Sequence, residues 1–121
     1  MNPANKLDPQ PLVQQLLEKT AAGKLDWEPT ADRRTFVASL AGKMSFRISM
    51  ISVTDIGDFG QPETVDVPLL ETLDEKGKRL WDIRRSDVPG AALSNLYDAA
   101  RRVGNRLDER LEQALSALSD L

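Results

Sequence analysis

Leu12, Val13, Leu16, Leu17 and Thr20 recur at helical intervals near the start of the chain, with Gln14, Gln15 and Glu18 between them. That period gathers the apolar side chains on one helix face and leaves the amides and the carboxylate on the other. Asp8 suits the N-cap and Pro9 the first helical position; Lys19 suits the last turn and Gly23 the left-handed residue beyond it. The pattern predicts a helix over about 9–22. From Leu25 the period becomes two. Leu25, Trp27 and Pro29 alternate, and the proline confines this short extended segment to an edge or a strand end. "TADRR" then reads as a turn.

Two alternating runs follow. Phe36, Ala38 and Leu40 alternate with Thr35, Val37 and Ser39, and Met44, Phe46, Ile48 and Met50 alternate with Ser45, Arg47 and Ser49. A two-residue turn at Gly42-Lys43 would place Phe36 and Leu40 on the opposite face from Phe46. A one-residue slip reverses every side chain, so burial requires an odd-length loop with Leu40 and Phe46 on one face. After Met50 the apolar phase moves to Ile51 and Val53, which predicts a bulge or strand end near 50–51.

"TDIGDFGQPETVD" (54–66) reads as the longest loop. Val65, Val67, Leu69 and Leu73 then alternate, and Pro68 points to an edge strand or a bulge. "DEKGK" fits a hairpin loop in which Gly77 takes positive φ beside a type I turn. That register sets Asp74 opposite Lys78, Leu73 opposite Arg79, Glu71 opposite Trp81 and Leu69 opposite Ile83. Trp81 then becomes a buried anchor, and Glu71 the one charge on a core-facing strand position.

The last apolar stripe runs Leu93, Leu96, Tyr97, Ala100, Val103, Leu107, Leu111, Ala114, Leu115, Leu118. Gly104 and Asn105 resemble a helix end, yet the stripe keeps its phase through them. The preserved phase favours one helix over about 91–119, with Gly104 costing roughly 1 kcal/mol relative to Ala. Such a helix would be about 43 Å long, against a diameter near 35 Å for a domain of this size. Its distal leucines must be covered by the first helix, by a second subunit or by a partner. The expected fold is α+β: a two-layer sandwich, residues 1–121 forming one domain. An antiparallel meander of about five strands carries an N-terminal and a long C-terminal helix on one face, in the order α-β-β-β-β-β-α.

Composition narrows the chemistry. The chain has 121 residues, 40% of them apolar and 29% charged, which suits one globular core. There is no cysteine and no histidine, so thiolate chemistry, Cys-based zinc sites and the usual general base near neutral pH are all excluded. The lack of cysteine fits a reducing, cytoplasmic setting. No apolar run is long enough for a transmembrane helix, and "MNPANKLDPQP" lacks the apolar core of a secretory signal. Net charge is −3, which argues against a general phosphate-backbone binder.

Candidate sites are weighed on that background. The carboxylates Asp55, Asp58, Glu63 and Asp66 of segment 54–66 do not follow the calcium-loop spacing and read as a solvated surface. Arg33-Arg34, Lys76-Lys78-Arg79, Arg84-Arg85 and Arg101-Arg102 form basic groups without interleaved aromatics, and nearby acids offset them, so nucleic acid is disfavoured. Asp98 with Arg101 or Arg102 is an ordinary helical ion pair. No catalytic residue, metal or cofactor is assigned.

The "W-x-P-T" opening (Trp27, Pro29, Thr30), the "T-F" strand start (Thr35, Phe36), the "D-E-x-G" hairpin (Asp74, Glu75, Gly77) and the "L-Y-x-x-A-R-R" helix (Leu96, Tyr97, Ala100, Arg101, Arg102) resemble a loose group of small uncharacterised bacterial proteins. The resemblance implies no activity, and the chain departs from the pattern at Val103-Gly104-Asn105. The expected function is a non-enzymatic protein–protein interaction module of the adaptor, immunity or antitoxin kind. It would bind a protein partner or a second copy through the C-terminal helix or a sheet edge, with no membrane contact. Leu107, Leu111, Leu115, Leu118, Arg101 and Arg102 are the candidate partner-binding residues. The alternative is a small-ligand-binding protein or enzyme with a pocket between sheet and helices, and Glu71 discriminates the two. Glu71 buried beside Trp81 at an empty cavity favours the pocket; Glu71 paired with Lys or Arg disfavours it.

Overall fold

The computed structural model describes residues 8–121. Residues 1–7, and with them most of the segment read against a secretory signal, lie outside the described residues. Helix α1 (Gln10–Ala21) begins one residue later than expected, with Pro9 at the N-cap and the Asp8 carboxylate accepting the Gln10 N–H at 3.0 Å. Val13, Leu16 and Thr20 are buried, Gln14, Gln15 and Glu18 are exposed, and Gly23 takes positive φ as the period implied.

The strands are β1 (Glu28–Pro29), β2 (Thr35–Leu40), β3 (Met44–Ile56), β4 (Pro62–Asp74) and β5 (Arg79–Arg84). They form one antiparallel sheet in the order β1-β2-β3-β4-β5. A short 3-10 turn (Arg85–Asp87) leads to α2 (Ala92–Gly104) and α3 (Leu107–Ser119). The architecture is α+β in two layers, in the order α-β-β-β-β-β-α-α. Its core joins Val13 and Leu16 of α1, Trp27, and Leu93, Leu96, Tyr97 and Ala100 of α2 to Phe36, Ala38, Phe46, Ile48, Leu70 and Ile83 of the sheet. A buried relay fixes α1 to the chain entering β1. The Trp27 indole N–H donates to Thr20 Oγ1 at 2.8 Å, and the Thr20 hydroxyl donates to the Leu16 carbonyl at 2.6 Å.

The β2–β3 connection is three residues, Ala41 to Lys43, so Leu40 pairs with Met44 and Ala38 with Phe46. Leu40 and Phe46 share a face, as burial required. Beyond this hairpin, several sequence expectations are corrected. Segment 54–66 is mostly strand: β3 and β4 pair without interruption from Met44↔Asp74 to Ile56↔Pro62, and only Gly57 to Gln61 form the turn. No bulge occurs at 50–51. Ile51 and Val53 simply face the other side of the sheet, cross-paired with Val67 and Val65.

Pro68 does not mark β4 as an edge strand along its whole length. Met50 N–H bonds the Arg34 carbonyl on the β2 side, so the opposed Pro68 nitrogen points away from β3, towards the β5 side. Pairing with β5 begins only at Leu69, so the missing N–H falls at a locally open edge.

At the β4–β5 hairpin the turn is as expected, with Gly77 at φ +83 and Asp74 N–H bonding the Lys78 carbonyl at 2.8 Å. Leu73 pairs with Arg79, after which the register shifts. Thr72 pairs with Trp81, Glu71 with Asp82, Leu70 with Ile83 and Leu69 with Arg84. Leu80 is the extra residue and stays exposed. Pairing with β3 turns Leu70 into the core and Val65, Val67, Leu69, Glu71 and Leu73 to the outer face, and the shift aligns Ile83 with Leu70, opposite to the sequence expectation.

The single long C-terminal helix is also corrected. Arg106 adopts φ +51, a left-handed conformation that ends α2 and redirects the chain. Gly104 lies against the Phe36 ring: a Cβ there would sit 2.6 Å from Phe36 Cδ1 and 3.4 Å from the Trp27 carbonyl oxygen. The glycine is a close-approach residue, so the unbroken stripe did not report an unbroken helix. We expect Gly104→Ala to destabilise the fold by about 1–3 kcal/mol through overpacking, against the roughly 1 kcal/mol that Ala gains in helix propensity. Urea melts measure the balance, and an unchanged or raised midpoint would remove the close-packing role.

Candidate interaction surface

Helix α3 begins with Asp108 and Glu109 in its first turn, where carboxylates suit the positive helix end. Arg102 of α2 reaches across the break to Asp108 at 2.8 Å, and Arg106 reaches Glu109 at 3.5 Å. The hydrogen bond to Asp108 raises the Arg102 pKa above its ordinary value. No residue of α3 is buried. Its stripe stands in solvent, with relative exposures of 37% at Leu107, 53% at Leu111, 66% at Leu115 and 64% at Leu118. The first helix does not cover it. Of the six candidate residues, the four leucines form one row on α3, and Arg102 joins that row's base through Asp108. Arg101 is exposed on α2 and forms no ion pair among the described residues.

The two end strands are blunt. β1 is two residues long and ends in Pro29; β5 carries Arg79, Asp82 and Arg84. Short or charged edges resist strand addition; the β3–β4 ribbon beyond β2 and β5 keeps open backbone edges, and α3 carries the exposed leucine row.

The sheet's outer face holds a charge ladder across β3, β4 and β5. Arg47 Nε and Nη2 each donate to Glu71 at 2.9 Å, and Arg79 lies 3.5 Å from Glu71 and 3.3 Å from Asp82. Glu71 is buried, but on the face away from Trp81, which pairs with Thr72. Sequence reasoning placed it wrongly because a period-two reading of β4 cannot foresee its register with β3, nor the Leu80 bulge that sets Trp81 opposite Thr72. Beyond the ladder, β3 and β4 continue as a two-stranded ribbon. Ile51, Val53, Val65 and Val67 line its outer side, and Phe59 stands at its turn. Asp55, Asp58, Glu63 and Asp66 are spread along this ribbon, and Asp66 is tied to Ser52 and Arg34. Among the described residues no group of three or more His, Cys, Asp or Glu is placed to hold a metal ion. The basic groups do not converge. Lys76 and Lys78 sit at the turn before β5, Arg84 and Arg85 at its far end, Arg33 and Arg34 ahead of β2, and Arg101 and Arg102 on α2.

Two clefts bear on binding. One of about 460 Å³ lies where α1, α2 and α3 meet, lined by Thr20, Asp26, Arg102, Arg106, Asp108 and Glu109 among others. The other, of about 370 Å³, runs between α1 and the β2–β3 hairpin. Leu12, Leu16, Leu25, Leu40 and Phe46 form its apolar floor, and Gln15, Lys19 and Lys24 its polar rim. Sequence reasoning missed this groove. Its one visible signal was Leu40, a core-face residue at the very end of a strand.

Comparison of the chain with protein-family models, with curated proteins and with solved structures finds no match in any of the three.

The ladder has a pH signature. Glu71 is held below the ordinary carboxylate range, first by the hydrogen bonds from Arg47, against the opposing effect of burial, and further by the charges of Arg47 and Arg79. A carboxyl with a depressed folded pKa adds stability that is complete above its unfolded pKa and is lost as pH falls through the folded one. We expect Glu71→Gln to cost about 1–3 kcal/mol at neutral pH. The gap to wild type should begin to narrow below about pH 4 and close as pH falls through the depressed folded pKa. Denaturant melts across that range check it, and a pH-independent gap would contradict the pairing.

Proposed function

We propose that this chain is a non-enzymatic protein–protein interaction module whose docking element is α3. The observation that carries the proposal is a helix of 13 residues with no buried side chain and a continuous leucine row. A helix this short is marginal alone in water, and a row of exposed leucines invites cover by another protein surface. Leu107, Leu111, Leu115 and Leu118 supply the contact, and Arg102 steadies the base of the helix through Asp108. Arg101, exposed one position away, belongs to the polar rim of the same contact. The absence of cysteine suits a cytoplasmic setting for it. Among the described residues no helix is long and apolar enough to cross a membrane.

The reading as a ligand-binding protein or enzyme loses its one candidate group. Glu71 is neutralised by Arg47 and Arg79 on the outer face, away from the helices and from Trp81. Catalysis would then rest on exposed carboxylates and lysines in a chain without histidine or cysteine.

The test is the double substitution Leu111→Asp/Leu115→Asp. Because α3 buries nothing in its own chain, domain stability should change by no more than about 0.5 kcal/mol. Association should be lost, both self-association by light scattering and retention of partners from a lysate. The module is refuted if the wild-type protein stays monomeric and retains the same lysate proteins as the doubly substituted one.

A further inference from the structure

Resting on the reading of α3 as a docking element, we propose that its receptor is a second copy of this chain. The α3 leucine row of each protomer enters the groove between α1 and the β2–β3 hairpin of the other. The exchange is reciprocal and closes a two-fold dimer.

Three observations converge on this occupant. The first is charge. The N-terminal half of α3 holds Asp108, Glu109 and Glu112; Arg102 and Arg106 contact the first two, and Glu112 has no ion pair among the described residues. The groove rim carries two lysines and no acid, Lys19 near the end of α1 and Lys24 just beyond it. An α3–α3 pairing would offer Glu112 the Arg110 of the other copy, and the outer-face ribbon would confront it with Asp55 and Glu63. This groove joins an apolar floor to a cationic rim.

The second is length and polarity. Leu111 to Leu118 on α3 and Leu12 to Lys19 on α1 each advance seven residues, about 10 Å of helix. The acids lie at the start of α3 and the lysines at the end of α1, so the two helices meet antiparallel. Leu111, Leu115 and Leu118 then face Leu12, Leu16, Leu25, Leu40 and Phe46, in the helix-in-groove mode. Leu40, half exposed at the groove mouth, gains its missing cover.

The third is geometry within the chain. The left-handed Arg106 turns α3 off the end of α2, and no α3 residue is buried against its own domain. Exchange of this terminal helix closes a dimer symmetrically, since each protomer gives one arm and receives one.

The chain has no native cysteine, so single cysteines report contacts cleanly. Leu40→Cys and Leu115→Cys are prepared as separate proteins and mixed under oxidising conditions. We expect a disulfide-linked species of twice the chain mass in the mixture, and little in either protein alone. Light scattering over a dilution series should show a wild-type dimer. Lys19→Glu/Lys24→Glu should weaken it at least about tenfold, as rim charges of reversed sign oppose the acids. Adding Glu112→Lys should recover part of it.

A wild-type monomer throughout the series overturns the proposal. So does a Leu40–Leu115 link that forms only inside one doubly substituted chain, which would mean that α3 folds back on its own groove. A dimer lost in Leu111→Asp/Leu115→Asp but indifferent to the lysine reversal leaves α3 as the docking element and removes the groove as its receptor. A dimer indifferent to both sets of changes removes both.

Discussion

The contact of Gly104 with the Phe36 ring sets the geometry of everything above the sheet. Phe36 enters the core from β2 and meets Tyr97 edge-on, ring centroids 6.0 Å apart. About two turns later, α2 passes so close to the same ring that a single Cβ would collide with it. The helix is therefore pressed onto β2 along its second half, and the Trp27 carbonyl closes the gap from the other side. Trp27 is in turn held to α1 by Thr20, so one aromatic pair, one glycine and one hydroxyl relay unite both core helices with the sheet edge. Dense interiors transmit such constraints with little give. The place where α2 stops, and hence the direction in which α3 departs, follows from this packing.

The sheet carries two kinds of order on its two sides. Towards the helices it is dry. On the outer side it is held by cross-strand pairs of β-branched residues and by the Arg47–Glu71–Arg79–Asp82 ladder. The bidentate Arg47–Glu71 bond lies between strands that are already fixed by backbone pairing, so little side-chain freedom remains to be lost when it forms. The ladder also crosses the point where the β4–β5 register shifts. A slip in either direction would separate Glu71 from Asp82's neighbour Arg79, so the charges oppose alternative registers as well as stabilising this one.

Much of this was legible in the residues, and the failures have one physical source. Helix α1, the β2–β3 loop length and the Gly77 turn were readable because each depends on local chemistry: caps, parity, and a residue that must take positive φ. The side of β4 that faces the helices was not readable. Val65, Val67, Leu69 and Leu73 give the stronger alternation, yet pairing with β3 puts Leu70 and Thr72 opposite Ile48 and Phe46. Non-local register outweighed the local count. Segment 54–66 was misread for a related reason: its glycines and acids resemble a loop, while Val53–Val65 and Ile51–Val67 pairing makes it a ribbon. The break at Gly104 was hidden because stripe phase records which residues are apolar, and an apolar row can serve one core before the break and another surface after it. Of the candidate site, the leucine row was visible in sequence and the groove was not, since the groove joins α1 to residues 25, 40 and 46 only after folding.

The break changes what the last helix can do. A continuous helix would have carried its distal leucines in line with α2. A left-handed residue at Arg106 gives α3 its own direction; the Arg102–Asp108 pair spans the break, and the Arg106–Glu109 pair is local to the start of α3. Asp108 and Glu109 also complement the dipole at its start, so the segment is biased towards helix before anything covers it. Binding elements that are ordered in advance lose less conformational entropy on docking. The residues that look like a flaw in a long helix, a glycine and a left-handed arginine, thus divide one apolar stripe into a part packed in the core and a part that stands exposed.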